Sequence, residues 1–473
     1  MLFNSIDFIY FFIIVTIGFY VLPHRFRWFL LLAASCYFYM AFVPYYILIL
    51  FLTIFIDYFA GIAIYNQKMH SNKKVLLIIS IISNIGILAF FKYYNFFLEN
   101  LIQLFNIFGE TWHQPPYLNV ILPIGLSFHT FQALSYTIEV YRGNQKPEKH
   151  FGVYALYVLF YPQLVAGPIE RPQNVLHQFH EVKFFEWDNL ISGIKLMFWG
   201  LFKKVVIADR LAPFVNTVYE NPADWVGFPI IIAFIFFSIQ IYCDFSGYSD
   251  IALGSARTMG FDLMTNFRRP YLSKSITEFW SRWHISLSTW FRDYVYIPLG
   301  GNRVKKSRIY LNVLIVFMLS GLWHGANWTF IVWGAFHGFT IILERFLKID
   351  TLMIHNNFVN LLRVILVFTL VSLAWVFFRA DNFNDVSQLI SSAFLIDKTQ
   401  VGWYTFGDYK YELILSLISI LFLIGVELKY DYLTNFLSSC NFAFRSVIYL
   451  FLILMLLSFG AFHSSGEFIY FQF

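Results

Sequence analysis

The sequence predicts an all-α, polytopic membrane protein, and three observations carry that prediction. Of 473 residues, 59% are hydrophobic and only 13% charged, against about 25% charged in an ordinary soluble domain. Apolar stretches close to the length of a membrane span recur from one end of the chain to the other. Nothing of soluble-domain size separates them, since the polar stretches 142–150 and 170–189 are short.

Taken in order, the apolar stretches fall near 7–23, 28–42, 45–61, 75–97, 120–138, 152–166, 190–208, 226–245, 309–322, 326–345, 360–378, 411–427 and 444–463. A spanning helix needs about 17 to 25 residues, so the shorter stretches must be tilted, re-entrant or enclosed by protein, and about ten to thirteen crossings are expected. The first stretch carries Asp7 and no preceding Lys or Arg, with Arg25 and Arg27 after it. It therefore reads as a first span with an outside N-terminus, not as a cleavable signal peptide. Pro44 supplies a break between the second and third stretches. The whole of 1–473 reads as one integral membrane domain. Cys36, Cys243 and Cys440 are far apart and fit no disulfide or metal-ligand spacing, so they read as buried thiols.

One segment is strongly basic. Residues 268–308 hold nine Lys or Arg and two acids. Within it Trp280, Trp283, Leu287, Trp290 and Tyr294 recur at intervals of three and four, with Arg282, Ser286, Thr289 and Asp293 on another face. That pattern predicts an amphipathic helix at the membrane interface, on the cytoplasmic side by charge. It excludes nucleic acid as the natural partner, because the aromatic stripe is interfacial in character.

Of the twelve histidines, four carry the argument. His324 stands in GLWHGANW, inside a run from Ile309 to Leu343 that has no Asp, Glu, Lys or Arg. One helix over that run would be roughly 52 Å long, while the hydrocarbon core is only about 30 Å thick. The chain must break, and Gly321 and Gly325 flank the histidine at the expected place. Broken helices at membrane depth occur only inside protein or beside a cavity, which puts His324 where an imidazole can meet a substrate. A neutral imidazole there can act as a general base; the plain alternative is an inert histidine bonded to a neighbour. His337, in AFHG, would lie about 140° away around an unbroken helix, so it reads as packing or support. His284, in SRWHISLS, is either a polar-face residue or one that reaches the cytoplasmic mouth of the same cavity. His129 sits with Ser127, Thr130 and Gln132 in a polar strip of an apolar run, which faces it inward. Asp244 and Ser246, in YCDFSGYSD, either orient a histidine, hold an arginine or fix helix packing through an ion pair.

These residues fall within a longer pattern. FFKYYNFF at 90–97, LPIGLSFHTFQALSYTIEVYRG at 122–143, PQLVAGPIERP at 162–172 and DFSGYSDIALG at 244–254 are followed by FRRPYLSKSITEFWSRWHISLSTWFRDYVYIPLGGNR at 267–303 and GLWHGANWTFIVWGAFHG at 321–338. In this order and spacing, over most of 90–345, the chain resembles the membrane-bound O-acyltransferase superfamily. Within it the chain is similar to the bacterial branch that O-acetylates alginate-like exopolysaccharide or peptidoglycan. Further apolar segments follow at 360–463.

The resemblance implies a ring of tilted transmembrane helices around a thin central catalytic region, with a funnel on each side. It implies that His324 is the catalytic histidine and His284 the second characteristic one. The implied reaction is acetyl transfer from a cytoplasmic donor, acetyl-CoA or a derivative, to a hydroxyl. His324 would take the hydroxyl proton or, alternatively, carry the acetyl briefly, Trp323 and Asn327 would line or support the centre as candidate oxyanion donors, and Arg282, Arg292 and Arg303 would attract the polyanionic donor. An extracytoplasmic, SGNH-type serine acetyltransferase would pass the acetyl group to the polysaccharide. The implied location is the bacterial cytoplasmic (inner) membrane, and no metal or permanently bound cofactor is expected. Beside this one stands, within the superfamily, a lysophospholipid acyltransferase relative, which the polysaccharide-branch motifs disfavour. Three further readings are D-alanyl transfer to teichoic acid from an acyl carrier protein, a transporter or flippase, and an inactive scaffold.

Overall fold

The computed structural model describes residues 1–109, 115–118, 122–164, 167–349, 356–395, 410–430, 433–462 and 468–471. Among them the secondary structure is helical, with no strand. Among the described residues seven helices are long and apolar enough to cross a membrane: Pro44–Asn66, His70–Ile107, Phe228–Thr258, Lys306–His324, Trp328–Leu347, Asn357–Arg379 and Phe442–Phe459. A shorter apolar helix, Ile6–Val21, precedes them. The protein is a multi-pass membrane protein.

Fewer stretches form full-length spans than the hydropathy pattern suggests, and burial explains part of the difference. The described part of 152–166 holds two short helices, Phe151–Leu159 and Tyr161–Leu164, and both are buried in protein from Gly152 onward. A stretch enclosed by other helices is apolar because it is core, so its hydropathy looks the same as that of a lipid-facing span.

The chain divides into two compact units, Met1–Ile191 with Ser255–Met264, and Ser192–Gly254 with Thr265–Phe473. In the first, the 3-10 turn Pro44–Tyr46 makes the expected break before the helix Ile47–Asn66. The carboxylate buried in this unit, Asp57, is answered by side chains, as a buried charge in a lipid environment requires. Asp57 accepts from Ser80 Oγ at 2.5 Å, Asn84 Nδ2 at 2.8 Å and Thr137 Oγ1 at 3.1 Å. His129, which the sequence turned inward, is 1% exposed and its Nε2 lies 2.5 Å from Thr53 Oγ1. Glu170, 0% exposed, accepts from the Met264 N–H at 2.5 Å and ties the 167–171 segment to the 255–264 segment.

In the second unit, the helices Trp187–Leu201 and Phe228–Thr258 meet backbone to backbone. A Cβ on Gly200 would stand 2.4 Å from the Gly247 carbonyl oxygen, so only glycine permits the approach. The π-turn Phe202–Ala208 then aims two lysines at the longer helix. Lys203 Nζ reaches Asp250 at 2.6 Å and Ser246 Oγ at 2.9 Å, while Lys204 Nζ reaches Asp244 at 2.6 Å and Asp209 at 2.8 Å. Asp244 thus forms an ion pair with a lysine, the third of the uses the sequence allowed, and Ser246 accepts a hydrogen bond from the other.

The basic segment departs from its expected form. Instead of one amphipathic helix it folds as Ile276–Arg282 and Ile285–Phe291, interrupted at Trp283 and His284, followed by the π-turn Arg292–Tyr296. Trp280, Trp283 and Trp290 are 7%, 1% and 6% exposed, so the aromatic stripe packs in protein and not at the interface. The periodicity was real, but it marked the core face of two short helices.

Candidate active site

The break at His324 is built by the residues around it. The helix Lys306–His324 ends at Gly325 in extended conformation, and Trp328–Leu347 starts from Asn327, whose Oδ1 accepts from the Thr329 N–H at 3.0 Å. The two helices pack through their glycines. A Cβ on Gly321 would lie 2.1 Å from the Phe330 carbonyl oxygen, and one on Gly334 would lie 2.1 Å from that of Phe317. Asn327 Nδ2 donates to the Asp381 carbonyl at 2.8 Å, so this amide caps a helix and anchors a loop. One of its two amide N–H donors is thereby committed to the loop.

His324 is 4% exposed and enclosed by aromatic rings. Trp323, Trp333, Phe378 and Tyr470 have centroids 4.9, 5.2, 5.3 and 5.5 Å from the imidazole. His284 is fully buried in a left-handed backbone conformation, φ 44°, rare for a residue with a Cβ. Strained backbone of this kind persists only where its surroundings hold it. Here the holder is Asn266, whose backbone carbonyl accepts from the Ile285 N–H at 2.9 Å. The side-chain Oδ1 of Asn266 lies 3.1 Å from His284 Nδ1 and accepts from Ser286 N at 3.3 Å and Ser286 Oγ at 2.9 Å. Because Ser286 N can only donate, the atom facing both groups is the amide oxygen. His284 Nδ1 therefore carries the proton, and Nε2 keeps its lone pair. Burial pushes the imidazole down to about 3, so it is neutral at physiological pH.

The two histidines share neighbours. Trp323 is 6.3 Å from the His284 ring, and Tyr470 is 6.4 Å from it. His337 is fully buried between Trp280 and Trp333, each 5.1 Å away, and Trp333 also touches His324. One indole, Trp333, thus contacts both His324 and His337, and His337 lies packed among aromatic rings. His129 belongs to the first unit.

A cavity of about 400 Å³ opens in the same unit. Its walls are apolar, with Trp280, Leu287, Val316 and Phe317 among them, and Arg292 and Arg345 bring charge. It reaches Ser320, one turn and about 6 Å before His324 on the same helix. Of the three arginines singled out by charge, Arg292 lines this cavity. Arg282 pairs with Glu278 at 2.5 Å, and Arg303 is exposed. Sequence reasoning missed Asn266, Arg345 and Tyr470, which are ordinary polar and aromatic residues of no distinctive spacing.

A family model described as membrane-bound O-acyltransferase matches residues 148–380. The chain is 38% identical over 419 residues to a probable alginate O-acetylase of Azotobacter vinelandii, covering 86% of this chain and 79% of that one. It is 36% identical over 386 residues to a peptidoglycan O-acetyltransferase of Helicobacter pylori, covering 76% and 72%. To a teichoic acid D-alanyltransferase of Bacillus subtilis it is 28% identical over 289 residues, covering 58% and 72%.

Proposed function

The chain belongs to the membrane-bound O-acyltransferase family, and from that membership we propose that it transfers acetyl groups across the membrane to O-acetylate a cell-surface polysaccharide. The donor is a cytoplasmic acetyl thioester, acetyl-CoA. The acceptor is a hydroxyl of the polymer or of an extracytoplasmic serine acetyltransferase that hands the group on. The alginate and peptidoglycan acetylases among its relatives support this reading over D-alanyl transfer, which is carried by a more distant and shorter match.

The observation that carries the mechanism is the placement of His324 at a helix break, one turn from the end of an apolar cavity with arginines in its wall. The cavity suits the donor's arm, and Arg292 and Arg345 suit its phosphates. His324 takes the proton of the acceptor hydroxyl as that oxygen attacks the thioester carbonyl. The C–O bond forms, the C–S bond breaks, and the imidazolium returns its proton to the departing thiolate. His284, neutral and held in one tautomer by Asn266, orients the reacting groups beside Trp323. The surrounding rings exclude water, which would otherwise hydrolyse the thioester.

Purified protein in liposomes, given acetyl-CoA labelled on the acetyl group together with the partner and polymer, should place label on the acceptor. Transfer of labelled D-alanine from a carrier protein, with no acetyl transfer, would replace this reading with the teichoic acid one. Accumulation of a solute without covalent label would replace it with transport.

A further inference from the structure

The turn Ile469–Phe471 is joined to a helix 225 residues earlier in the chain. The Ile469 N–H donates to Asp244 Oδ2 at 2.7 Å. The other oxygen of the same carboxylate, Oδ1, lies 2.6 Å from Lys204 Nζ, with both side chains at most 4% exposed. Each oxygen thus has its own task. Beside the turn, Phe468 packs on Tyr248 at 4.5 Å, and the Tyr470 ring packs on Phe245, also at 4.5 Å. Phe245 in turn touches His284 at 4.7 Å. The outcome is that Tyr470 stands 5.5 Å from the His324 ring and 6.4 Å from that of His284.

An ion pair that served helix packing alone would need only the oxygen facing Lys204. The second oxygen is instead aimed at the backbone of a distant turn, as a charged acceptor for a main-chain donor. Such bonds are roughly twice as strong as neutral ones. Lys204, itself shared with Asp209, fixes the direction of the carboxylate. We propose that Asp244 is a positioning residue, whose carboxylate, oriented by Lys204, fastens the Ile469–Phe471 turn so that Tyr470 forms one wall of the His284–His324 site. The consequence for catalysis rests on the acetyl-transfer reading, but the tether itself does not.

The test separates the two. Full-length protein carrying 3-fluorotyrosine at position 470 reports the ring's surroundings by fluorine NMR, whatever the enzyme transfers. Asp244→Asn and Asp244→Leu both lose the charge opposite Lys204, but only Asn keeps an acceptor for the Ile469 N–H. Ile469→Pro removes that donor and leaves the ion pair intact, so it covers the case in which Leu at 244 prevents folding. The wild-type signal should persist in Asp244→Asn and move to a solvent-like, narrowed line in Asp244→Leu and Ile469→Pro. Turnover at saturating donor should fall roughly 10²-fold in the last two, the effect of a misplaced wall near the chemistry. In a Tyr470→Ala background, Asp244→Leu should cost no more than Asp244→Asn. An unchanged fluorine signal in Ile469→Pro, or equal losses in Asp244→Asn and Asp244→Leu with Tyr470 present, would overturn the tether. A wild type that shows the predicted signals but transfers no acetyl would overturn the proposed function and leave the tether standing.

Discussion

Asn266 Oδ1 holds His284 Nδ1 at 3.1 Å in the buried core of the second unit. One amide oxygen thereby fixes an imidazole tautomer, and the same residue's backbone holds the left-handed turn that presents the ring. Asn266→Ala should leave a buried N–H without its acceptor, at about 1–3 kcal/mol. It should lower turnover roughly 10²-fold through loss of orientation. Steady-state kinetics should show the loss in kcat with little change in KM. A loss confined to KM would assign Asn266 to donor binding instead.

Gly321 should tolerate no side chain. Its Cβ would sit 2.1 Å from a backbone oxygen that has no rotamer to move. Gly321→Ala must force the helices Lys306–His324 and Trp328–Leu347 apart, at about 1–3 kcal/mol for an overpacked contact. A lower thermal midpoint in detergent, together with reduced activity, is the expected result. Gly86→Ala, where a Cβ would meet nothing within 4 Å, is the control and should be neutral.

The cavity arginines should act on donor binding. Arg345 is half-buried and donates to Tyr296 Oη at 3.4 Å, while Arg292 is exposed. Arg345→Ala should raise the KM for acetyl-CoA roughly ten-fold, the value of one charged hydrogen bond. Arg292→Ala should do less and should lose its effect in high salt. Binding of a labelled CoA analogue checks both.

Two buried groups give stability opposite slopes with pH. The His284 imidazole is pushed down from 6.5 to about 3 by burial. The unfolded chain therefore takes up a proton below pH 6.5 that the folded chain refuses, and stability falls as pH drops from 6.5 toward 3. Burial pushes the Glu170 carboxyl up from 4.5 to about 7. The folded chain keeps that proton while the unfolded chain releases it, so stability falls as pH rises from 4.5 to 7. Each slope reaches about 1.4 kcal/mol per pH unit. Thermal midpoints of Glu170→Gln should gain on wild type between pH 5 and 7, where a constant difference would contradict the assignment.

What the sequence made legible followed from local rules. A charge-free run too long for one crossing, with glycines around a histidine, located the break between Lys306–His324 and Trp328–Leu347. Pro44 located another. The interruption at His284 was not legible, because the tryptophan spacing of one helix continues unchanged across two, and histidine does not announce a positive φ. Asn266 and Tyr470 were invisible for a different reason. Their partners are brought together only by the tertiary fold, Asn266 with a histidine 18 residues on and the turn of Tyr470 with an aspartate 225 residues back. Arg345 was missed because it stands outside the basic segment that drew attention to charge, on the far helix of the hairpin.

The most direct test of the account is acetyl transfer by His324→Ala and His324→Gln, each measured beside wild type in liposomes with labelled acetyl-CoA and acceptor. Both variants should keep the wild-type thermal midpoint within a few degrees, bind a CoA analogue normally, and lose transfer by roughly 10²–10⁴-fold, the range of a removed general base. Transfer at the wild-type rate by either variant would take the proton-accepting role away from His324 and contradict the mechanism.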